Sequence, residues 1–584
     1  MPRLAVINNE KLKVMSEKKH IQSLCPVNRR GADCMYFEGE KLLIDEVLCI
    51  GCGICVKAAP HAISIINLPD EDKTPPIHQY GKNGFRVFNL PYVEDGKIVG
   101  ILGKNGIGKS TVISILAGLI QANFGDVENT YETKEEYFKA LIGQYKGTIM
   151  QQYFTSLQHQ DITVAFKPQQ IIQIPQKFKG VVKNLLHRVE SNEEKVKARA
   201  KSLNVEQILE RDISHLSGGE LQRVAICACL LKENANFYVL DEVTNYLDVY
   251  ERLNTAQIIK EVVGEKSALV VEHDLVILDF LIDNIHLMYG QPSVYGKLTN
   301  IKNARQGMNE YLEGYSKDEN IQFRDKPISF NKESVLDEQV RSAYVSWPQE
   351  IVKRGDFQVE IQAGHISKGE IIGIIGRNAL GKSTFMKHVN EVGLDGKVIS
   401  YKEQLIEKQD DLVMSVLGAM NNYTDSFYKL YVLDPLKIHN LEEKQINELS
   451  GGELQRFAIA RCLLEDAQVY LLDEPTAFLD VEDRLVVAKV IKNFIELKEK
   501  ACFVIDHDLI FMDYLSHRLM VFDGEPSIRG VANSPSGMRD GMNHFLKGVD
   551  ITFRREEHTK RPRINKKHSV KDNEQRQSGE YYYS

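Results

Sequence analysis

The chain has 584 residues, 43% of them hydrophobic, and a formal net charge of −8. It is too long for one core and has apolar residues enough for several, while the acidic balance gives no global pull toward nucleic acid. No apolar run approaches the roughly 20 residues of a membrane-spanning helix, and the charged N-terminus (MPRLAVINNEKLKVMSEKKH) lacks the apolar stretch of a secretory signal. These features point to a cytoplasmic protein without membrane spans, with the nucleus as a second location.

The first element, residues 1–75, is a small domain rich in cysteine. Five of the nine cysteines lie between Cys25 and Cys55, a density that suits metal binding better than disulfides in a reducing compartment. Cys227, Cys229, Cys462 and Cys502 sit in apolar stretches and read as core residues.

From residue 76 onward the chain contains itself twice. In the first copy, 76–300, the apolar run KIVGIL reads as a buried parallel strand. It enters GKNGIGKST at Gly103 and then the helix STVISILAGL. Such a glycine-rich loop between strand and helix lets backbone N–H groups approach phosphate at a helix N-terminus. Gly103, Asn105, Gly106, Gly108 and Thr111 form the expected cradle. Lys109 is expected to reach the β- and γ-phosphates of ATP, and Ser110 to ligate Mg2+. The stretch GTIMQQYFTSLQ from Gly147 has helical apolar spacing and belongs to an insertion near 140–160. It lies between Lys109 and Gln169 (KPQ), 60 residues apart; the second copy spans only 22 residues from Lys382 to Gln404 (KEQ). LSGGELQR follows, placing Ser217 and Gly219 ahead of a helix. YVLDE then ends a strand with Asp241, suited to magnesium, and Glu242, suited to polarising the attacking water. VVEHD carries His273.

Residues 301–325 form a hinge, and the second copy occupies 326–520. Its loop GRNALGKST supplies Gly376, Asn378, Gly381, Lys382, Ser383 (again for Mg2+) and Thr384, with Ala379 where the first copy has Gly106. Ser450 and Gly452 repeat the LSGGE motif, Asp473 and Glu474 the acidic pair, and His507 the strand–His–Asp element. Residues 521–584 form a second hinge, in which RDGMNHFLKG matches RQGMNEYLEG of the first, and a basic tail. The basic stretch FRREEHTKRPRINKKH (553–568) is the candidate for local RNA contact; a solvated tail is the alternative.

The repeated set resembles the ABC-type ATPases, and the fold expected is α/β. Two tandem P-loop domains, each with a mostly parallel sheet and a helical subdomain, follow a small ferredoxin-like α+β domain. In that family the LSGGE serine of one domain completes the ATP site of the other. The resemblance implies one site from Lys109, Asp241, Glu242 and His273 with Ser450 and Gly452. The other joins Lys382, Asp473, Glu474 and His507 with Ser217 and Gly219. Gln169 and Gln404 resemble the family's Q-loop residues, although Glu403 stands where proline is usual; Val243 likewise replaces a common proline after Glu242. Tyr80, Phe85 and Phe357 are candidates to stack on adenine, against ordinary core packing.

LCIGCGIC, INLP, the two GMN hinges and RPRINK resemble one branch along almost the whole chain. This is subfamily E of the ABC proteins, the ribosome-recycling factors also called RNase L inhibitor. The resemblance implies an ATPase, a monomer pairing its own two domains, that splits ribosomes after termination or rescue. Its implied partners are the ribosome and its small subunit, contacted by the helix–loop–helix near Gly147, a release or rescue factor at the A site, and initiation factors. Rival readings are an F-type translational ATPase, an excinuclease-type twin ATPase and a non-enzymatic inhibitor or binder. The first lacks a cysteine domain, and the second places its cysteines inside the ATPase domains.

Subfamily E proteins resemble two-cluster ferredoxins, in which the fourth cysteine of each motif serves the other motif's cluster. Here the first motif reads Leu12, Glu17, Ile21, Cys25 and the second Cys49, Cys52, Cys55, Ala59. Sorted by that cross-ligation, one cluster has lost Leu12, Glu17, Ile21 and Ala59 together. The other keeps Cys25, Cys49, Cys52 and Cys55. One 4Fe–4S cluster is therefore expected, with zinc or an apo domain as alternatives, and Cys34 is expected to be a packed thiol.

Overall fold

The structure is a computed structural model that describes all residues except 1–2, 8, 10, 13, 46–47, 68–74, 129–130, 325, 329, 331–341, 405, 557–558, 560 and 583–584. Part of the INLP string, most of the start of the second repeat and part of the basic stretch lie outside the described residues. The chain divides into two compact units. One comprises Met1–Tyr92, Gly103–Thr163 and His286–Ile301, the other Val93–Leu102, Val164–Ile285 and Lys302–Ser584.

In the first unit, strand Arg3–Ile7 pairs antiparallel with Ile63–Asn67, and Met35–Glu38 forms a hairpin with Lys41–Ile44. Helices Met15–Leu24 and Ile54–Ala58 complete an α+β layer over a core that includes Ala5, Ile21, Leu42, Ile44 and Ile63. Two asparagines fasten the hairpin. Asn9 bonds both backbone groups of Leu42, and Asn83 both of Ile44, all at 2.9 Å. Asn83 thereby ties the small domain to the start of the first repeat. The insertion is a pair of helices, Lys134–Gln144 and Ile149–Gln158, whose buried faces carry Tyr137, Leu141, Met150 and Phe154. Tyr153 donates to the Leu116 carbonyl at 2.8 Å, anchoring the pair to the end of the P-loop helix.

In the second unit, Ile98–Gly103, Ser267–Val271, Phe237–Asp241 and Val164–Lys167 form parallel neighbours in that order. The second repeat lies wholly in this unit and shows the complete sheet. Parallel strands Arg518–Glu525, Glu370–Gly376, Ala501–Ile505, Val469–Asp473 and Ile399–Lys402 are neighbours in that order. Arg529–Ala532, Phe357–Ile361 and Glu350–Arg354 extend it on the Arg518 side. Every residue of Glu370–Gly376, Val469–Asp473 and Ala501–Ile505 is buried. A strand covered on both faces reads as an unbroken apolar run, which is why EIIGII and VYLLD stand out in the sequence. Among the described residues no helix is long and apolar enough to cross a membrane.

The basic C-terminal stretch differs from both sequence expectations. It folds into a hairpin, Phe553–Arg555 with Pro562–Ile564, followed by helix Val570–Ser578. Arg555 is bonded to Asp513 at 2.8 and 3.0 Å, and Arg563 grips Asp279 through two bonds of 2.6 and 2.9 Å. Arg561 is 0% exposed, with Asp279 at 3.5 Å. These arginines are internal ion pairs rather than a solvated tail or a free RNA-binding strip. Lys566 and Lys567 remain exposed.

Candidate functional site

Both phosphate loops adopt the geometry that their glycines permit. Gly108 and Gly381 have φ of 98° and 95°, and each caps the N-terminus of the helix that follows. A Cβ on Gly381 would meet Val359 at 2.3 Å, and one on Gly108 would meet Phe85 at 2.5 Å. Ala379 takes the left-handed φ of 60° that Gly106 (70°) provides in the other loop. The lysines fold back into their own loops. Lys109 donates to the Gly103 and Lys104 carbonyls at 2.9 and 2.6 Å, and Lys382 to those of Gly376 and Arg377 at 2.8 Å each. Burial lowers the Lys382 ammonium to about 8, against the pull of Asp248, Glu474 and Asp473. Ser110 and Thr111, like Ser383 and Thr384, stand in the first helical turn.

The acidic pairs close their strands as Asp241–Glu242 and Asp473–Glu474. Glu242 and Glu474 have φ of 50° and 48°, a left-handed conformation that costs a residue with a side chain about 1–3 kcal/mol. The same strained turn in both copies aims the two carboxylates alike. Gln169 donates to Glu242 Oε1 at 2.7 Å and Gln404 to Glu474 Oε1 at 2.8 Å, so Glu403 in place of proline leaves that contact intact. His273 Nε2 lies 3.8 Å from Glu242 Oε1, and His507 Nε2 lies 3.4 Å from Glu474 Oε1. Burial pushes the Glu474 carboxyl up, but His507, Gln404 and Lys382 together outweigh it and hold it at about 2. A carboxylate placed beside a glutamine and a histidine stands at the position expected of the general base. Burial raises the Asp473 carboxyl, and a hydrogen bond with Ser383 opposes the rise. Ser383 and Asp473 are the side chains expected around magnesium.

Sequence reasoning missed the supports beneath these carboxylates. Lys167 is buried and donates to the Asp241 and Glu242 carbonyls at 2.8 Å each. Lys402 does the same for Asp473 and Glu474 at 2.7 and 3.1 Å. Burial lowers both lysines to about 8. Gln222 adds bonds to the Glu242 and Val243 carbonyls at 2.8 Å. The available signal was the lysine shared by KPQ and KEQ, two residues before each glutamine.

Ser217 and Ser450 are N-caps, each in a reciprocal box with Glu220 or Glu453. Gly219 and Gly452 lie against the backbone of Tyr246 and Phe478, whose carbonyls would be 2.9 and 3.3 Å from an added Cβ. The two turns meet: the Tyr246 and Phe478 rings are 5.8 Å apart. Beyond them the first repeat touches the phosphate loop of the second. Asp248 accepts the Asn378 N–H at 2.6 Å, and Arg377 lies over the Tyr250 ring at 4.3 Å. Arg252, paired with Asp274 at 2.8 Å, also donates to the His507 carbonyl at 3.4 Å. Lys382, Asp473, Glu474, Gln404 and His507 are thus gathered beside the first repeat's Asp248 and Arg252. Of the adenine candidates, Tyr80 is 47% exposed, with its hydroxyl 3.3 Å from Thr111 Oγ1. Phe85 and Phe357 pack on the loop glycines instead.

In the first unit, Cys25, Cys34, Cys49, Cys52 and Cys55 border one pocket. Gly51 and Gly53, at φ of 60° and 78°, turn the backbone between Cys49 and Cys55. Burial, then Cys49 and Cys52, push the Cys55 thiol up to about 11. The positions of the other motif are filled by apolar packing. Leu12, Ile21 and Ala59 are fully buried in the cluster that contains Cys25 and Cys55. Glu17 faces His61 at 3.6 Å.

The ABC transporter family model matches residues 91–245 and 361–477. The chain is 37% identical to ABC transporter E family member 1 of Arabidopsis thaliana, over 100% of this chain and 99% of that protein. The chain belongs to the ABC E family. It is 38% identical to translation initiation factor RLI1 of Saccharomyces cerevisiae, over 100% of this chain and 98% of that one. Its fold matches a solved structure described as a model of ribosome-bound archaeal Pelota and ABCE1, with a TM-score of 0.91 and 43% identity. That match covers 100% of this chain and 99% of the other.

Cys25, Cys49, Cys52 and Cys55 are the residues that would hold an iron–sulfur cluster. All four border one pocket, and among the described residues no group of three or more His, Cys, Asp or Glu side chains is placed to hold a metal ion. Leu12, Ile21 and Ala59 offer no donor for a second group.

Proposed function

We propose that this chain is an ATP-driven ribosome-recycling factor that separates ribosomal subunits after termination or rescue. The observation that carries the reading is similarity along the whole length to translation factors and to an E-family protein bound to a ribosome with Pelota. By that similarity, the A-site partner is a rescue factor of the Pelota kind, and the helix pair over 134–158 meets the small subunit. In this reading the chain is ordered as cysteine domain, ATPase domain, hinge, ATPase domain, and hinge with tail.

ATP with Mg2+ is held by Lys109, Ser110 and Asp241 in one site and by Lys382, Ser383 and Asp473 in the other. The opposite repeat contributes Ser450 and Gly452 to the first and Ser217 and Gly219 to the second. Glu242 and Glu474 are the general bases, and His273 and His507 attend the γ-phosphate. Closure on two ATP molecules supplies a difference in affinity between open and closed states, which can displace the attached cysteine domain. Hydrolysis resets the clamp. Cys25, Cys49, Cys52 and Cys55 would hold one 4Fe–4S cluster, whose role when bound is to brace the small domain.

Sucrose-gradient sedimentation of purified ribosomes with this protein, ATP and a rescue factor tests the proposal. Subunit peaks growing at the expense of intact ribosomes is the expected result. An unchanged profile, with no co-sedimentation in non-hydrolysable ATP, overturns it. Anaerobic purification with iron and sulfide analysis tests the cluster: four iron atoms per chain support it, eight or none refute it.

A further inference from the structure

Each strand that leads to a candidate γ-phosphate histidine is followed first by an acid, Glu272 in VVEHD and Asp506 in VIDHD. The site described above gives neither side chain a task, yet both are buried, at 1% and 4% exposure. Their place follows from sheet register. Val271 pairs with Asp241 and Ile505 with Asp473 in neighbouring parallel strands, so the next residue on one strand stands beside the turn that leaves the other. Glu272 accepts the Thr244 N–H at 3.1 Å on one oxygen, and the His273 and Asp274 N–H groups at 2.7 and 3.1 Å on the other. Asp506 accepts the Thr476 N–H at 3.1 Å, the Thr476 hydroxyl at 2.8 Å and the Asp508 N–H at 2.9 Å. Glutamate, longer by one methylene, reaches the N–H of the histidine itself; aspartate takes up the threonine hydroxyl instead.

The turn that receives these bonds is strained. In it Glu242 and Tyr246 have φ of 50° and 65°, and Glu474 and Phe478 have 48° and 64°. Bulky residues persist in the left-handed region only where their surroundings over-determine them. Thr244 and Thr476 lie midway between the two strained residues. Their carbonyls accept the Leu247 and Leu479 N–H groups at 3.1 Å, which closes the turn ahead of Asp248 and Asp480. Asp248 goes on to accept the Asn378 N–H in the phosphate loop of the second repeat.

We propose that Glu272 and Asp506 are positioning residues, each fastening the loop of its own γ-phosphate histidine to the turn that presents the general base at one end and Asp248 or Asp480 at the other. This assignment rests on the two-site ATPase reading above. A carboxylate suits the place because its two oxygens can accept three donors at once. Three backbone or hydroxyl donors left unpaired in a buried site would each carry a desolvation cost. Through Glu272, His273, Glu242 and Asp248 are held as one unit, so the first site's chemistry and the second site's phosphate loop share a support.

The test places Glu272→Gln and Glu272→Asp in the full-length protein in two backgrounds. With Glu474→Gln, turnover reports the first site; with Glu242→Gln, it reports the second. Phosphate release gives kcat and KM, with equilibrium nucleotide binding and thermal unfolding alongside. Glutamine keeps the shape but offers one oxygen, so one end of the bridge opens whichever way the amide turns. Folded Glu272→Gln should lose about 10–100-fold in kcat at the first site, with ATP affinity there nearly unchanged. At the second site ATP affinity should fall, because Asp248 is no longer held. Glu272→Asp, the residue that the second repeat uses beside the same threonine, should restore most of both. Unchanged kcat in folded Glu272→Gln, or an equal loss in the Gln and Asp variants, would overturn the proposal. A loss at the first site with second-site affinity untouched would overturn the bridge and leave Glu272 a support of its own histidine. Should Glu272→Gln not fold, Asp506→Asn in the Glu242→Gln background puts the same question to the second site's kcat. Wild-type turnover in the Glu242→Gln, Glu474→Gln protein defeats the site assignment itself, and this inference with it.

Discussion

Replacing Lys402 by Met should slow hydrolysis at the second site while leaving ATP binding and overall stability nearly intact. Lys402 donates to the Asp473 and Glu474 carbonyls at 2.7 and 3.1 Å and makes its bonds to backbone, not in the phosphate loop. Two bonds from a charged donor are worth about 3–6 kcal/mol together. Burial returns much of that, lowering the ammonium to about 8, a cost on the order of 3 kcal/mol. The net contribution to stability is therefore small, about 0–3 kcal/mol, and Met fills most of the volume. Catalysis is more exposed to the change, because Glu474 sits at φ 48°. Once the carbonyl bonds are gone, about 1–2 kcal/mol of that strain is free to relax and turn the carboxylate away. A loss of that size in transition-state stabilisation is about 5–30-fold in kcat. Phosphate release is best measured in a Glu242→Gln background, so that turnover reports the second site, with equilibrium nucleotide binding and thermal unfolding alongside. A folded Lys402→Met protein with unchanged kcat would refute the reasoning.

Glu242→Gln with Glu474→Gln should bind ATP normally and lose about 10²–10⁴-fold in hydrolysis, as expected for removal of a general base; undiminished phosphate release sinks the assignment. Gly381→Ala adds a Cβ 2.3 Å from Val359 at φ 95°, so nucleotide binding at the second site should fall by about tenfold or more. Equilibrium titration with a fluorescent ATP analogue reads that loss, and wild-type affinity contradicts it. Arg563→Ala leaves Asp279, 5% exposed, with the more distant Arg561 as its remaining ion pair among the described residues, at a cost of about 2–4 kcal/mol after discounting for the partly exposed arginine. Amide exchange in the 553–564 hairpin should accelerate, and unchanged protection there would show that the ion pair does not anchor it. Lys566→Ala with Lys567→Ala should leave that protection untouched, since both side chains are exposed.

The sequence by itself determined the parts of this protein that are local. A phosphate loop is a backbone conformation built from adjacent residues, so GKNGIGKST and GRNALGKST declare it without help from the rest of the chain. Strands buried on both faces announce themselves as apolar runs. The duplication supplied the order of motifs, and the α/β class follows from that order. The division of the cysteines into a kept set and a lost set rests on the resemblance to subfamily E, whose motif spacing those positions follow. Tertiary structure decided what depends on residues distant in sequence. Lys167 and Lys402 look like surface lysines until the acidic strands arrive beside them. The arginines at 555, 561 and 563 look like a solvated basic tail until Asp513 and Asp279, tens to hundreds of residues away, pair with them. Cys34 looks like a stray thiol until the fold places it on the pocket that Cys25, Cys49, Cys52 and Cys55 also border. In each case the side chain is the same in the unfolded chain; what changes is whether water or a packed partner satisfies its charge or hydrogen, and only the fold chooses the partner.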